Sequence, residues 1–176
     1  MADDALSRGM DVAVVGFSTS VTVLQEFTPV TQMATPALEA DGQTSMGAAL
    51  TVAMDLLERR KAQYKDLGVP YHRPWIFMIS DGAPNDDYTA AFQKVNEQQQ
   101  KKKLELWAVG VPGYDREILT SITKRVIELD AGLNFAGLFE WLSTSLSTKS
   151  RSKPDEAVQY EVLPEGSRVV PNDWGN

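Results

Sequence analysis

Residues 75–80, Trp-Ile-Phe-Met-Ile-Ser, are apolar up to the last position and run straight into Asp81-Gly82. A run this short and this uniformly apolar reads as a strand buried on both faces, as strands are in parallel sheets whose faces are covered by helices. The flanking segments fit that reading. Residues 45–66 carry Ala49, Val52, Ala53, Leu56 and Leu57 at helical spacing, opposed by Glu58, Arg59, Arg60 and Lys61, with Gly68 and Pro70 beyond the end. Residues 88–103 form a second helix closing on three lysines, and residues 104–111 form another buried strand, stopped by Pro112-Gly113.

A short helix over 115–122 and a short strand over 126–129 follow. Asn134 caps a last helix to about residue 147, with Phe135, Leu138, Phe139, Leu142 and Leu146 inward. Near the start, 11–17 and 21–27 read as strands joined by Ser18-Thr19-Ser20 into an antiparallel hairpin. Strand–helix alternation of this kind predicts an α/β fold with a mostly parallel sheet. The main domain is expected over 1–148, and 149–176 as an extended tail. Residues 158–162 alternate as a strand would, but are too few to assign.

Composition narrows the function classes. A net charge of −7 argues against nucleic acid or an anionic membrane as partner, and suits a divalent cation or a basic protein patch better. The chain has no cysteine and one histidine, His72, which reads as a linker residue. Thiol chemistry, zinc ribbons and disulfides are excluded, and a Ser-His-Asp arrangement would hang on that single histidine. No stretch approaches the roughly 20 apolar residues of a spanning helix, and the first residues do not resemble a signal peptide. The expectation is a cytoplasmic protein.

Two constellations carry chemistry. One is the polar entry into the first helix, Asp41-Gly42-Gln43-Thr44-Ser45-Met46-Gly47; the other is Ser80-Asp81-Gly82 at a strand end. Ligands of open α/β sheets gather at the carboxyl ends of the strands. Mg²⁺ takes oxygen ligands, so a Thr44 hydroxyl and an Asp81 carboxylate are of the right type. The plainer reading stands beside this: a Ser or Thr before a helix is an N-cap, and strand-Asp-Gly is a turn. Asp86 and Asp87 read as caps for the helix that follows them.

The stretches "DGQTSMGAAL", "RPWIFMISDGAPND", "LWAVGVPGYD" and "FEWLSTSLSTKSRSKP" together resemble the von Willebrand factor A domains of bacterial tellurite-resistance-associated proteins. The resemblance implies a Rossmann-like three-layer sandwich, with the antiparallel hairpin at the edge of the sheet. It also implies a metal-ion-dependent adhesion site that binds rather than catalyses. Thr44 matches the second loop of that site and Asp81 the third. Mg²⁺ would complete its shell with an acidic residue of another protein, and Ser18, Asp41, Asn85, Asp86 and Tyr114 would rim the partner surface.

The family's Asp-x-Ser-x-Ser motif is absent, and Ser18-Thr19-Ser20 does not replace it. By the same resemblance, the first central strand and most of the first helix are missing, which would leave unpaired backbone on two neighbouring strands. A longer natural chain, a partner or second copy supplying the strand, and a degenerate sheet are the three explanations. Mg²⁺ binding by this chain is expected to be weak, and Asp81→Ala to leave stability nearly unchanged. An open-sheet phosphatase or hydrolase is the enzyme alternative; it lacks a nucleophile with an adjacent base.

Overall fold

The computed structural model describes residues 9–34, 42–152, 159–160 and 162–170. The chain is α/β and divides into two compact units, residues 1–72 with 84–92 and residues 73–83 with 93–176.

In the first unit, β1 (Asp11–Phe17) and β2 (Val21–Pro29) form the antiparallel hairpin. Its turn is closed by the Ser18 amide donating to the Ser20 carbonyl, 2.9 Å. Phe17 lies opposite Val21 and Val15 opposite Val23, with irregularities around Val14. The second strand runs two residues beyond the expected Phe27, because Asp11 still faces Pro29 and the Val30 amide donates to the Met10 carbonyl at 2.9 Å. A short 3₁₀ turn, Val30–Gln32, follows.

Helix α1 (Met46–Asp66) packs against both strands. Its buried arc is wider than the expected stripe: Met46, Leu50 and Met54 join Ala49, Leu56 and Leu57, whereas Val52 and Ala53 are half-buried. Lys61, expected on the polar face, is buried. Four residues after Leu57, it lays its stem along the apolar arc and reaches Glu58 with its ammonium at 2.8 Å.

Across the same unit the Asp11 carboxylate is held by the Arg60 guanidinium and the Tyr64 hydroxyl. Burial pushes the Asp11 pKa up, but those two donors more than offset it, and the net shift is downward from 3.8. A carboxylate with a depressed native pKa stabilises the fold above its unfolded pKa, and that contribution is lost as pH falls through the native value. Asp11→Asn is therefore expected to flatten the acid limb of a stability–pH profile below about pH 4. An unchanged acid limb would show that the carboxylate contributes nothing.

The second unit holds a four-stranded sheet in the order β3 (Trp75–Ser80), β4 (Glu105–Gly110), β5 (Val126–Leu129), β6 (Ser167–Val169). The first three strands are parallel and β6 is antiparallel to β5. β4 is buried along its whole length, as the central apolar run requires. Helix α2 (Thr89–Gln100) begins in the first unit and ends in the second; α3 (Arg116–Ile122) and α4 (Phe135–Arg151) complete the elements. Asp115 accepts from the Ile118 amide and Asn134 from the Gly137 amide, so both helices start on side-chain caps.

The core against α4 comprises Trp107, Val109, Ile127, Leu129, Leu138 and Trp141. Phe139, expected inward, is half exposed; the buried line of α4 is Leu138, Trp141 and Ser145.

Three expectations change. The hairpin is not an edge of the main sheet but a sheet of its own: among the described residues, β1 pairs only with β2 and β3 only with β4. The segment after α4 is not merely an arm. It returns as β6, and the buried Val170 donates to the Val126 carbonyl at 2.9 Å. Of the alternating stretch 158–162, Val158 and Glu161 lie outside the described residues, and Gln159, Tyr160 and Val162 form no strand. Tyr160 instead packs its ring on Trp75, Trp107 and Trp141. No helix among the described residues is long and apolar enough to cross a membrane.

Candidate functional site

In the first unit, three loops far apart in sequence are bonded into one polar platform: the hairpin turn 18–20, the helix entry 42–45, and residues 84–87. The Ser45 amide donates to the Ser18 carbonyl (2.9 Å) and the Ser45 hydroxyl to the Thr19 carbonyl (3.0 Å). The Gln43 amide donates to Thr19 Oγ1 at 3.2 Å. On the other side the Asn85 amide donates to the Thr44 carbonyl at 3.1 Å, and the Asn85 side-chain amide donates to Gln43 Oε1. Ser18, Thr44, Asn85 and Asp86 are thus brought together. Thr19 and Gln43 belong to the same platform and were missed, since nothing but their place beside the chosen residues marks them in the sequence.

Ser45 stands at the N-cap of α1 but makes no side-chain capping bond. Asp86 does that work from a distance: Oδ1 accepts from the Gly47 amide at 3.1 Å and Oδ2 from the Ala48 amide at 2.8 Å. A carboxylate there satisfies two of the orphan amides of a helix start and meets the positive end of its dipole. Asp87 takes the local position, accepting from the Thr89 amide at 3.1 Å. Asp86 therefore caps the preceding helix rather than the following one.

Asp81 and Tyr114 fall in the second unit, at the carboxyl ends of β3 and β4. Asp81 is exposed. Its loop touches the one after β4 closely enough that a Cβ at Gly113 would lie 3.1 Å from the Asp81 carbonyl, and Gly113 has φ +103°, which favours glycine. Tyr114 lines an open cleft of about 450 Å³ together with Arg116, Glu128, Asp130 and Arg168. Burial, followed by the neighbouring Glu128 carboxylate, raises its phenol above the ordinary value. Arg168 pairs with Glu128 at 3.0 Å. Asp41 lies outside the described residues.

The donor set does not suit Mg²⁺ by itself. The ion needs near-octahedral oxygen coordination, usually with one or two carboxylates. Thr44 offers a half-buried hydroxyl and Asp81 an exposed carboxylate, and both Asp86 oxygens are engaged by amides. Among the described residues no group of three or more His, Asp or Glu side chains could hold a metal ion. Nor is any platform hydroxyl hydrogen-bonded to a carboxylate or to His72 among the described residues, as an activated nucleophile would be. What the platform can do is present hydroxyls and amides on a fixed backbone. No family model and no curated protein matches the chain.

Proposed function

We propose that this chain is a protein-binding module of the von Willebrand factor A type, a Rossmann-like three-layer sandwich serving a bacterial stress or tellurite-resistance system. The observation that supports it most is the platform, in which three separate loops are locked together while the Thr44 hydroxyl makes no hydrogen bond to a described residue. Pre-organised loops carry binding at little entropic cost. In this reading another protein docks over Ser18, Thr44 and Asn85, and it does so without Mg²⁺. A Mg²⁺-dependent form needs oxygen ligands beyond the described residues.

The test is capture of a partner by the immobilised chain, compared with a Thr44→Ala/Asn85→Ala double variant whose melt is checked first. A partner held by the parent chain and lost by the folded variant supports the platform; one retained equally by both sinks it.

The metal-free part is tested by melting the protein with about 10 mM Mg²⁺ and with chelator. A site with a Kd of about 1 mM would add about 1.4 kcal/mol, a shift of roughly 3–6 °C. The expected shift is none, and a rise of that size would overturn the metal-free reading.

A further inference from the structure

Asp81-Gly82 stands just past the end of β3, outside the ladder that closes with the Val111 amide on the Ser80 carbonyl at 3.1 Å. Asp81 is exposed, and its carboxylate accepts no hydrogen bond from a described residue. The Gly82 amide reaches only Ser80 Oγ among the described residues, at a stretched 3.4 Å. The other described aspartates are held. Asp86, Asp87, Asp115 and Asp130 accept backbone amides, Asp11 is bound by Arg60 and Tyr64, and Asp55 and Asp66 lie within α1. None of them is followed by glycine.

We propose that Asp81 is a site of spontaneous modification, closing on the Gly82 amide to a cyclic imide and reopening as isoaspartate. The Gly82 nitrogen loses its proton and gives its electron pair to Asp81 Cγ; a C–N bond forms, and the carboxyl hydroxyl leaves as water. Water then adds back at either imide carbonyl. Breaking the bond between Cγ and nitrogen restores aspartate, and breaking the bond between the main-chain carbonyl carbon and nitrogen routes the chain through Cβ. No oxidant, metal or second protein enters the balance.

Three features of the loop favour the closure. The carboxylate has no donor to hold it away, the amide it attacks is weakly engaged, and glycine has no Cβ to shield that nitrogen or to restrict the turn. The product keeps the mass and net charge of the parent, but the charge moves. The Asp81 carbonyl oxygen, which a Cβ at Gly113 would meet at 3.1 Å, becomes part of a free carboxylate. The main chain leaving β3 is longer by one methylene, so the contact with the loop after β4 is what the modification disturbs. This chemistry does not depend on the binding platform.

The test is peptide mapping of the full chain, aged for weeks at neutral pH and physiological temperature, with electron-transfer fragmentation to tell isoaspartate from aspartate at position 81. The folded chain should accumulate isoaspartate there, with a transient imide one water lighter, and ahead of every other described aspartate. The rate should approach that of the same chain aged in urea. Asp81→Glu, which keeps the exposed charge but would need a six-membered ring, should remain unmodified at that position while melting as the parent does. A folded chain that stays unmodified at position 81 while the urea-unfolded chain reacts would show that the loop protects the bond, and overturns the proposal. Equal or faster modification at the amide-held aspartates would overturn it too, since the free carboxylate would then not be what selects the site.

Discussion

Glu105→Ala is expected to cost about 3–5 kcal/mol in a denaturant titration, the range for removing one member of a buried ion pair. Glu105 is 7% exposed on the central strand. Its Oε1 receives Arg73 Nη1 at 3.2 Å and Lys149 Nζ at 3.0 Å, and Lys149 also lies 4.8 Å from the Trp75 ring centroid. Alanine would take from the largely buried Lys149 ammonium, beside the Trp75 ring, the carboxylate that receives it. A loss below about 1 kcal/mol would place the pair in the class of solvated surface bridges instead.

The pH dependence of that loss has a definite sign. Burial lowers the Lys149 pKa below 10.5, and the Glu105 carboxylate opposes the shift. Between a lowered native pKa and the unfolded one, the unfolded chain binds more protons, so stability rises with pH across that window. Without Glu105 the native pKa falls further and the window widens downward. The deficit of Glu105→Ala should therefore shrink as pH is raised toward 10.5, and a deficit independent of pH would mean that lost packing, not the stranded ammonium, is the cause.

Glu105 also shows where the sequence stops being legible. The strand over 104–111 is readable because its apolar residues are continuous, and a single glutamate does not break that pattern. Its partners are not readable, since Arg73 and Lys149 lie 32 and 44 positions away. Local signals served well elsewhere. β3 and β5 occupy the expected residues because Pro74, Asp81 and Asp130 bound them, and α1 begins after Ser45. β6 escaped because three residues, Ser167-Arg168-Val169, are too short for any periodicity.

Asp86 and Asp87 make the same point at the candidate site. As neighbouring acids before a helix they look equivalent, and only Asp87 does the local work. The long-range role of Asp86 on α1 follows from the chain bringing residues 84–87 back to residues 44–48, which no local pattern encodes. Thr44 and Asn85 were readable as polar loop residues; that the Asn85 amide meets the Thr44 carbonyl was not. Asp81 and Tyr114 are adjacent to strand ends as the alternation required, but the loop contact through Gly113 emerges only from the fold.

Gly47→Ala is expected to cost about 2–4 kcal/mol, although alanine is the better helix former by about 1 kcal/mol. A Cβ at position 47 would lie 2.6 Å from the Tyr88 Cα and 2.9 Å from the Asp87 carbonyl. Both are backbone atoms and cannot swing aside as a side chain would. The start of α1 or the 86–88 loop must withdraw, and either movement stretches the bonds from the Gly47 and Ala48 amides to Asp86. The cost is thus overpacking plus a lost cap, the second worth about 1 kcal/mol. Asp86→Ala alone removes only the cap, so the double variant should lose less than the sum of the two single losses. Strict additivity would mean that α1 keeps its cap in Gly47→Ala and that the clash is relieved elsewhere. The same withdrawal would part Asn85 from the Thr44 carbonyl, so Gly47→Ala should lose partner capture while its helical circular dichroism persists. Retained capture in that variant would separate the binding surface from the loop contact that Gly47 permits.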